Sequence, residues 1–347
     1  MEVVILRNDR SSLVEKYSEF SEGRVDNYQD VLDIKKALEQ MGIKYREVIV
    51  KENLANLKEL KNIKPEPELV INVCDDFSEP KKEALVPKRL ENLGIPYTGD
   101  SYKPLSMCVQ KALSKKKLIE SGVLTPKYQI VSSPNDEIKG LKFPLIVKPN
   151  NEHGSVGIDE YSVVHNDEQL QAKLNEMLKK YGMMLVEEYI DDAREFSTVV
   201  IGESVMKVSE MVFGEEFEGK PKIMTYDAKW DKESDDYAGT VRKPAKIPKQ
   251  LEERIKEESL RAYKALGCKS YARIDLRVKD GTPYVLEVNV NPDLSRDGAV
   301  AKIAKQSGVS YLKLIKTIIE NAKPAADEES NEQILQEDTE EKKAVNF

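Results

Sequence analysis

The chain has 347 residues, enough for two or three domains, with 40% hydrophobic and 33% charged residues and a formal net charge of −8. No run of about 18 apolar residues occurs, which argues against a membrane-spanning helix, and MEVVILRNDR reads as a short strand followed by charge, not a signal peptide. Three widely spaced cysteines (Cys74, Cys108, Cys268) and only two histidines argue against zinc and histidine-triad chemistry, and the charge balance offers nothing to nucleic acid.

Residues 2–6 read as a buried strand. Val31, Ile34, Leu38 and Met41 have helical spacing over 30–41, stopped by Gly42. Residues 45–50 form a second strand. Residues 69–74 (LVINVC) form a third, continuously apolar as in a parallel sheet. Residues 53–68 read as a charged helix ending at a Pro65/Pro67 linker. The pattern predicts a small α/β domain over 1–95. After a turn at 95–99 (IPYTG), a helical run extends through Gly122, with Lys111 and Lys115 four apart on one face.

Residues 143–149 (FPLIVKP) read as a strand with Lys148 near its end. The following NNEHGSVG holds Ser155 in a glycine-containing turn. Such a turn lets backbone N–H groups approach a phosphate, and a lysine adds a point charge. An ordinary hairpin turn fits the residues equally, and His153 reads as exposed and idle. Residues 183–190 (MMLVEEYI) and 195–201 (EFSTVVI) are further strands; Glu187 and Glu188, taken alone, read as solvated. Residues 211–237 are polar and poorly periodic, a long loop around a short strand, and they contain the only tryptophan, Trp230. A loop of that length in a compact enzyme is usually functional. Helices follow around Leu251, Ile255, Ala262 and Leu266, and around Tyr311, Leu314, Ile315, Ile318 and Ile319 with Ser310 as N-cap. Residues 324–347 carry eight acids against two bases, and disorder is expected there.

The most informative stretch is 271–291, YARIDLRVKDGTPYVLEVNVN. Asp-Gly between two alternating runs is a strong hairpin signal. Alternation puts Ala272, Ile274, Leu276 and Val278 on one face and Arg273, Asp275 and Arg277 on the other. It groups Leu286, Val288 and Val290 against Val285, Glu287, Asn289 and Asn291. A hairpin symmetric about Gly281 sets Asp275 opposite Glu287 and Arg273 opposite Asn289. Opposed Cβ atoms lie ~4.5–5.5 Å apart, where like charges repel. Two carboxylates and an amide on one face suit a hard cation, Mg²⁺ or Mn²⁺, completed by substrate phosphates. A solvated face with charge pairs to Arg273 and Arg277 is the alternative.

R-x-D, about twelve residues, then E-x-N-x-x-P resembles the closing metal motif of ATP-grasp ligases, and the chain resembles their D-alanine–D-alanine ligase branch over roughly 85–320. The resemblance implies an α/β (α+β) fold: a Rossmann-like pre-ATP-grasp domain at 1–100, then a two-lobed ATP-grasp fold with a small lobe at 101–185 and a C-terminal lobe at 186–323. It implies ATP and two Mg²⁺ (or Mn²⁺) ions, held by Asp275, Glu287 and Asn289. Lys111 and Lys148 match lysines on the phosphates, and Ser155 a serine of the mobile phosphate loop. Glu187 matches the acceptor of the adenine amine, Glu188 and Ile190 the backbone at the adenine edge, and Glu195 the ribose partner. Arg273 matches the arginine on the transferring phosphoryl group. Lys229, in YDAKW, matches a lysine on the ω-loop lid that closes onto the γ-phosphate.

The implied activity is ATP-dependent, ADP-forming joining of a carboxylate to an amine through an acyl-phosphate. Small-molecule amino-acid or peptide substrates, a cytoplasmic location and a homodimer come with it. Other ATP-grasp chemistries, carboxylation or thioester formation, and a nucleotide-binding protein without turnover are the rivals. Several positions depart from the branch. Gln110 replaces an aspartate, and no Ser-x-Glu follows the first strand. Gly154 and Trp230 stand where a loop serine and a lid tyrosine tie that glutamate. Gly298 and Ala299 replace the serine–leucine pair that holds the second substrate's carboxylate. Asp293, Arg296 and Asp297 add charge nearby, Asp293 and Asp297 for a substrate amine or guanidinium and Arg296 for a carboxylate. These departures predict that D-alanine does not serve as both substrates; a genuine D-alanine–D-alanine ligase is the alternative.

Overall fold

The structure, a computed structural model, describes residues 2–9, 28–51, 54, 60, 62–63, 68–75 and 79–322. Strand β1 (Glu2–Asn8), helix α1 (Gln29–Gln40), β2 (Lys44–Val50) and β3 (Glu68–Asn72) build a parallel sheet of order β2-β1-β3. The unbroken apolar run of β1 reflects burial on both faces. Val3 and Ile5 pack with Val31, Ile34 and Leu38 of α1, whereas Val4 and Leu6 pack with Val70, Leu90 and Tyr97. The helix expected over 53–68 and the acidic segment 324–347 lie mostly or wholly outside the described residues.

Helix α2 (Leu85–Asn92) precedes α3 (Tyr102–Cys108) and α4 (Lys111–Glu120). The single helical run expected up to Gly122 is therefore two helices. Gln110 is extended (φ −113°, ψ 96°), and the Lys111 N–H donates to the Asn150 carbonyl at 3.0 Å. The break places Lys111 in the first turn of α4, next to the loop that follows Lys148.

Strands β4 (Tyr128–Val131), β5 (Leu145–Pro149), β6 (Val163–Val164) and β7 (Met184–Glu188) form a small antiparallel sheet, order β4-β7-β5-β6. One face is covered by α5 (Asp167–Tyr181), whose Leu170, Leu174 and Met177 meet Val131, Leu145, Val147 and Val186. The sequence reading passed over α5, although Asn166 caps it by accepting from Gln169 N–H at 2.9 Å and its apolar spacing is helical.

The large sheet is built from β8 (Arg194–Ile201), β9 (Ser204–Val205), β10 (Ser209–Phe213), and, beyond the short helices α6 (Tyr226–Trp230) and α7 (Asp235–Ala238), β11 (Thr240–Pro244). Helix α8 (Lys249–Ala265) leads into β12 (Tyr271–Lys279) and β13 (Thr282–Val290), then α9 (Ala299–Gln306) and α10 (Tyr311–Glu320). The order is β11-β10-β8-β12-β13, with β9 on β8. The segment expected as loop over 211–237 thus carries two helical turns. Each is capped by a hydroxyl, Thr225 on Ala228 N–H and Ser234 on Tyr237 N–H. Beneath the large sheet, α8 buries Ala272, Ile274, Leu276 and Val278. On the other face, Val199, Ile201 and Tyr271 share a core with α9, α10 and the N-terminal sheet. That shared core seats the first sheet on the rim of the face bearing Arg273 and Asp275.

The β12–β13 hairpin departs from simple symmetry. Lys279 pairs with Thr282, so Asp280 (φ +49°) and Gly281 (φ +70°) are the two turn residues, the left-handed pair of a type I′ turn. Continued regularly, that register would set Asp275 against Leu286. A bulge between Asp275 and Leu276 restores the pairs Asp275–Glu287 and Arg273–Asn289. The expected pairs hold, but Val285 lies in the core under α8, contrary to expectation, and Leu286 is only partly buried. One extra residue re-aims the strand and turns Glu287 to the open face.

The N-terminal part is pinned to this hairpin by buried polar contacts. Asp100 accepts from Lys269 N–H at 2.6 Å and Ser270 N–H at 3.2 Å, and its own N–H donates to Asn291 Oδ1 at 2.8 Å. Gly99, at φ +95°, lies so close that a Cβ there would stand 2.6 Å from Asn291 Oδ1. Asp100→Ala strands two N–H groups in the interior. We expect it to cost about 2–3 kcal/mol, read as a lowered melting temperature; an unchanged melting curve would show that this joint carries no stability.

Candidate active site

The face of the large sheet opposite α8 holds the candidate metal ligands. Asp275 accepts from Ser197 Oγ at 2.7 Å and Asn289 Nδ2 at 2.9 Å. The Arg273 fork closes on it, with Nε at 2.9 Å from Oδ1 and Nη2 at 2.8 Å from Oδ2. Burial alone would raise the Asp275 carboxyl; Arg273, Arg242 and Ser197 together hold it below its ordinary value. Glu287, across the hairpin, lies within electrostatic reach of Lys111, Lys115 and Arg273. Of the charge pairs in the solvated-face alternative, the one to Arg273 forms and the one to Arg277 does not. Arg277 is 3% exposed and turns from the carboxylates toward the Tyr189 ring (4.5 Å), donating to the Lys222 carbonyl at 3.0 Å.

The small sheet presents the lysines. Glu187 on β7 is 1% exposed and pairs with Lys148 at the end of β5 and, at 2.7 Å, with Lys115 of α4. This overturns the reading of Glu187 as solvated. Burial alone would raise its carboxyl, yet the two ammonium groups hold it below its ordinary value. Lys115 also donates to Thr125 Oγ1 at 2.6 Å. Sequence reasoning saw Lys115 only as a helical neighbour of Lys111; that four-residue spacing was the signal available. Lys111 donates to the Glu152 carbonyl, and burial pushes the ammonium groups of both lysines down. The first N–H groups of α4 are already taken, those of Lys111 and Ala112 by Asn150, so it is the Lys111 ammonium that suits an anion.

The hinge residues lie between the two sheets. The Glu188 N–H donates to the Lys127 carbonyl at 2.9 Å, and its carboxylate accepts from Lys142 N–H at 3.1 Å. Ile190 follows Tyr189, whose N–H donates to the Pro144 carbonyl at 2.9 Å. Glu195 is half-buried opposite Arg277; burial raises its carboxyl, with Arg277 and Arg242 acting against the rise. In the turn before it, Asp192 takes a left-handed backbone conformation at φ +50°.

The phosphate-type loop and the lid touch each other. Trp230 Nε1 donates to the Gly154 carbonyl at 2.7 Å, and Tyr226 N–H to the Ile158 carbonyl at 2.8 Å. Tyr226 packs on Val156. Ser155 sits between them at φ +63°, and the Lys229 ammonium lies 5.3 Å from the Trp230 ring. His153 is not idle: its Nε2 meets Glu83 Oε1 at 2.7 Å and ties the loop to the segment before α2. Arg296, expected to meet a substrate carboxylate, instead has its N–H on Asp33 at 2.9 Å and its guanidinium over the Tyr311 ring at 4.3 Å. Asp293 is exposed and accepts from Ser295 N–H and Oγ at 2.8 and 2.6 Å.

With this geometry in view, comparison with known proteins is specific. The D-ala D-ala ligase C-terminus family matches residues 122–320. D-alanine–D-alanine ligase A of Bacillus cereus is 35% identical over 252 residues, 72% of this chain and 79% of that protein. A D-alanine–D-alanine ligase of Bacillus anthracis is 34% identical over 245 residues, 70% and 76% of the two chains. An uncharacterized protein of Sinorhizobium fredii is equally similar, 34% over 260 residues. The crystal structure of D-alanine–D-alanine ligase from Bacillus anthracis complexed with ATP superposes with a TM-score of 0.71 at 26% identity, covering 92% of this chain and 96% of that one.

The buried Glu187 pair has a pH signature. Its folded pKa is depressed below the ordinary 4.5, so its contribution is full above about pH 4.5 and is lost as pH falls through the lower folded value. Glu187→Gln should remove that component of the acid limb and lower stability at neutral pH by about 3–5 kcal/mol, as when a buried pair loses one partner. Thermal melts from pH 3 to 7 measure both; parallel curves for variant and wild type would contradict the assignment.

Proposed function

The chain belongs to the D-alanine–D-alanine ligase family, and from that premise we propose that it forms an amide between a small amino-acid or peptide carboxylate and an amine, with a substrate other than D-alanine on at least one side. It is an ATP-dependent, ADP-forming ligase with an ATP-grasp fold. The observation that carries the reading is the convergence of Lys111 from α4 and Lys148 from the small sheet with Arg273, Asp275 and Glu287 from the large one. In this reading the substrate carboxylate oxygen attacks the γ-phosphorus of ATP and the bond to the β-phosphate oxygen breaks. ADP leaves and an acyl-phosphate remains. The amine nitrogen then attacks the acyl carbon, loses a proton, and orthophosphate departs. Such chemistry needs positioning and neutralised charge more than covalent help.

Lys111, Lys148 and Ser155 would hold the phosphates. Glu187, the backbone at Glu188 and Ile190, and Glu195 would surround the adenosine. Arg273 would move its fork from Asp275 to the transferring phosphoryl group and later to the oxyanion. Asp275, Glu287 and Asn289 would hold the divalent metal, which would neutralise phosphate charge. The donor set fits a hard cation: two carboxylates opposed across the hairpin and an amide oxygen offer only oxygen; no larger cluster of His, Cys, Asp or Glu side chains is found among the described residues, so phosphate oxygens would have to complete the ion's ligands. Mg²⁺ is usually bound by one or two carboxylates and completed by phosphates; we take two Mg²⁺ or Mn²⁺ ions. Lys229 would act from the lid, which excludes water from the acyl-phosphate. The same reading takes 1–100, 101–185 and 186–323 as the N-terminal domain and the two ATP-grasp lobes, in a cytoplasmic protein able to form a homodimer.

The substrate argument rests on replaced partners. Gly154 and Trp230 offer no hydroxyl to an N-terminal glutamate, and instead Trp230 bonds the Gly154 carbonyl directly. Gly298 and Ala299 bring no hydroxyl for a substrate carboxylate, while Asp293 stands exposed and suited to a cationic group. Sites built for one polar partner reject others strongly. A second reading, a genuine D-alanine–D-alanine ligase, is favoured by the 34–35% identity to relatives of that name.

Incubation with Mg-ATP and a panel of amino acids and dipeptides should give ADP and orthophosphate, with D-alanine alone far below the ~10⁴ M⁻¹s⁻¹ kcat/KM of working enzymes. Efficient D-alanyl-D-alanine formation would establish the second reading; AMP and pyrophosphate would sink both. Glu287→Gln should lower turnover at least ~10²-fold with an unchanged fold by circular dichroism. Lys229→Ala should lower turnover while nucleotide affinity is retained, because a lid lysine acts in the closed state. Loss of ATP affinity at an unchanged maximal rate would contradict the lid role.

A further inference from the structure

Arg242 on β11 is a partly buried cation at the site that no role above uses. Its Nη1 is fully buried and has no hydrogen-bond partner. A guanidinium presents five donors, and an unsatisfied buried one is costly. Asp275 and Glu195 lie within electrostatic range, as does the positive charge of Arg273. Asp275 is already closed by the Arg273 fork, Ser197 and Asn289, so Arg242 adds positive charge that the carboxylates have not absorbed.

Its position along the sheet tells which anion it suits. Arg242 pairs with Met211, Met211 with Glu195, and Glu195 with Arg277, so these four side chains form one row on the Asp275 face. Arg277 in that row bonds the Ala193 and Lys222 carbonyls, next to the hinge. The core shared with the N-terminal sheet begins at the opposite ends of the strands, at Tyr271, Val199 and Ile201. The row of Arg242, which includes Glu195, therefore lies at the hinge end, beside the row of Asp275 and Ser197, and away from Asp293.

We propose that Arg242 is an additional nucleotide-binding residue, its partly exposed guanidinium donating to the phosphate chain of the bound nucleotide beyond the cations Lys111, Lys148, Lys229 and Arg273. This rests on the reading of the site as an ATP site. A planar guanidinium suits phosphate oxygens better than an ammonium does. Leu or Ile at this position of β11 would keep the strand but lose the donor; the sequence shows the arginine only as one more polar residue in TVRKP, so burial is what singles it out.

Calorimetric titration of the full chain with adenosine, AMP, ADP and a non-hydrolysable ATP analogue, in Mg²⁺, tests this. Arg242→Gln should weaken ADP and the analogue at least tenfold and leave adenosine within twofold, with Arg242→Lys intermediate. Its melting temperature without nucleotide should not fall, since an uncompensated, partly buried cation is removed. An unchanged affinity for every ligand would overturn the proposal. So would an equal loss for all four accompanied by a lower melting temperature, which would make Arg242 structural. A wild-type chain that binds none of the four would overturn the ATP-site reading itself, and this proposal with it.

Discussion

Burying charge is expensive, and the candidate site is made of buried charges. A carboxylate taken out of water survives ionised only when cations and donors replace the water around it. Asp275 is held by the Arg273 fork, Ser197 and Asn289, and Glu187 by Lys115 and Lys148. The Asp275 cluster is complete only when β8, β12 and β13 of the large sheet are paired, and the Glu187 cluster only when α4 lies against the small sheet.

On the proposed reading this arrangement suits phosphoryl transfer. Lys115 and Lys148 are already held on Glu187, so, the fork of Arg273 apart, little reorganisation is needed as charge develops on a phosphoryl group. Arg273 sits on Asp275, two residues along the same strand, close to where a divalent ion and a γ-phosphate would compete for the same partners. Lys111 and Lys115 are pushed toward lower proton affinity by burial, which a polyanion between them would offset.

The 150–158 loop and the 226–230 helix are joined by an indole N–H on a backbone carbonyl. That bond does not reach the N-terminal side, to which the loop is tied instead through His153 and Glu83. The charged positions after β13 divide. Arg296 is drawn into packing with Asp33 and Tyr311, while Asp293 and Asp297 stay exposed.

Local chemistry in the sequence determined the elements and the face of each strand: the apolar run of β1, the Asp-Gly turn, the Ser310 cap, and the alternation that groups Arg273 with Asp275. It also determined the candidate metal ligands and Lys111, Lys148 and Lys229, because motif order survives in a linear reading. Tertiary structure alone decided the rest. The bulge that turns Glu287 outward and Val285 inward depends on how β13 lies against α8, not on alternation. The burial of Lys115 and Glu187, the bond between His153 and Glu83, and the unsatisfied guanidinium of Arg242 arise between residues tens of positions apart. The physical reason is that a charged side chain carries no mark in the sequence of whether water will reach it; only packing removes the water, and with it sets each group's partners and its proton affinity.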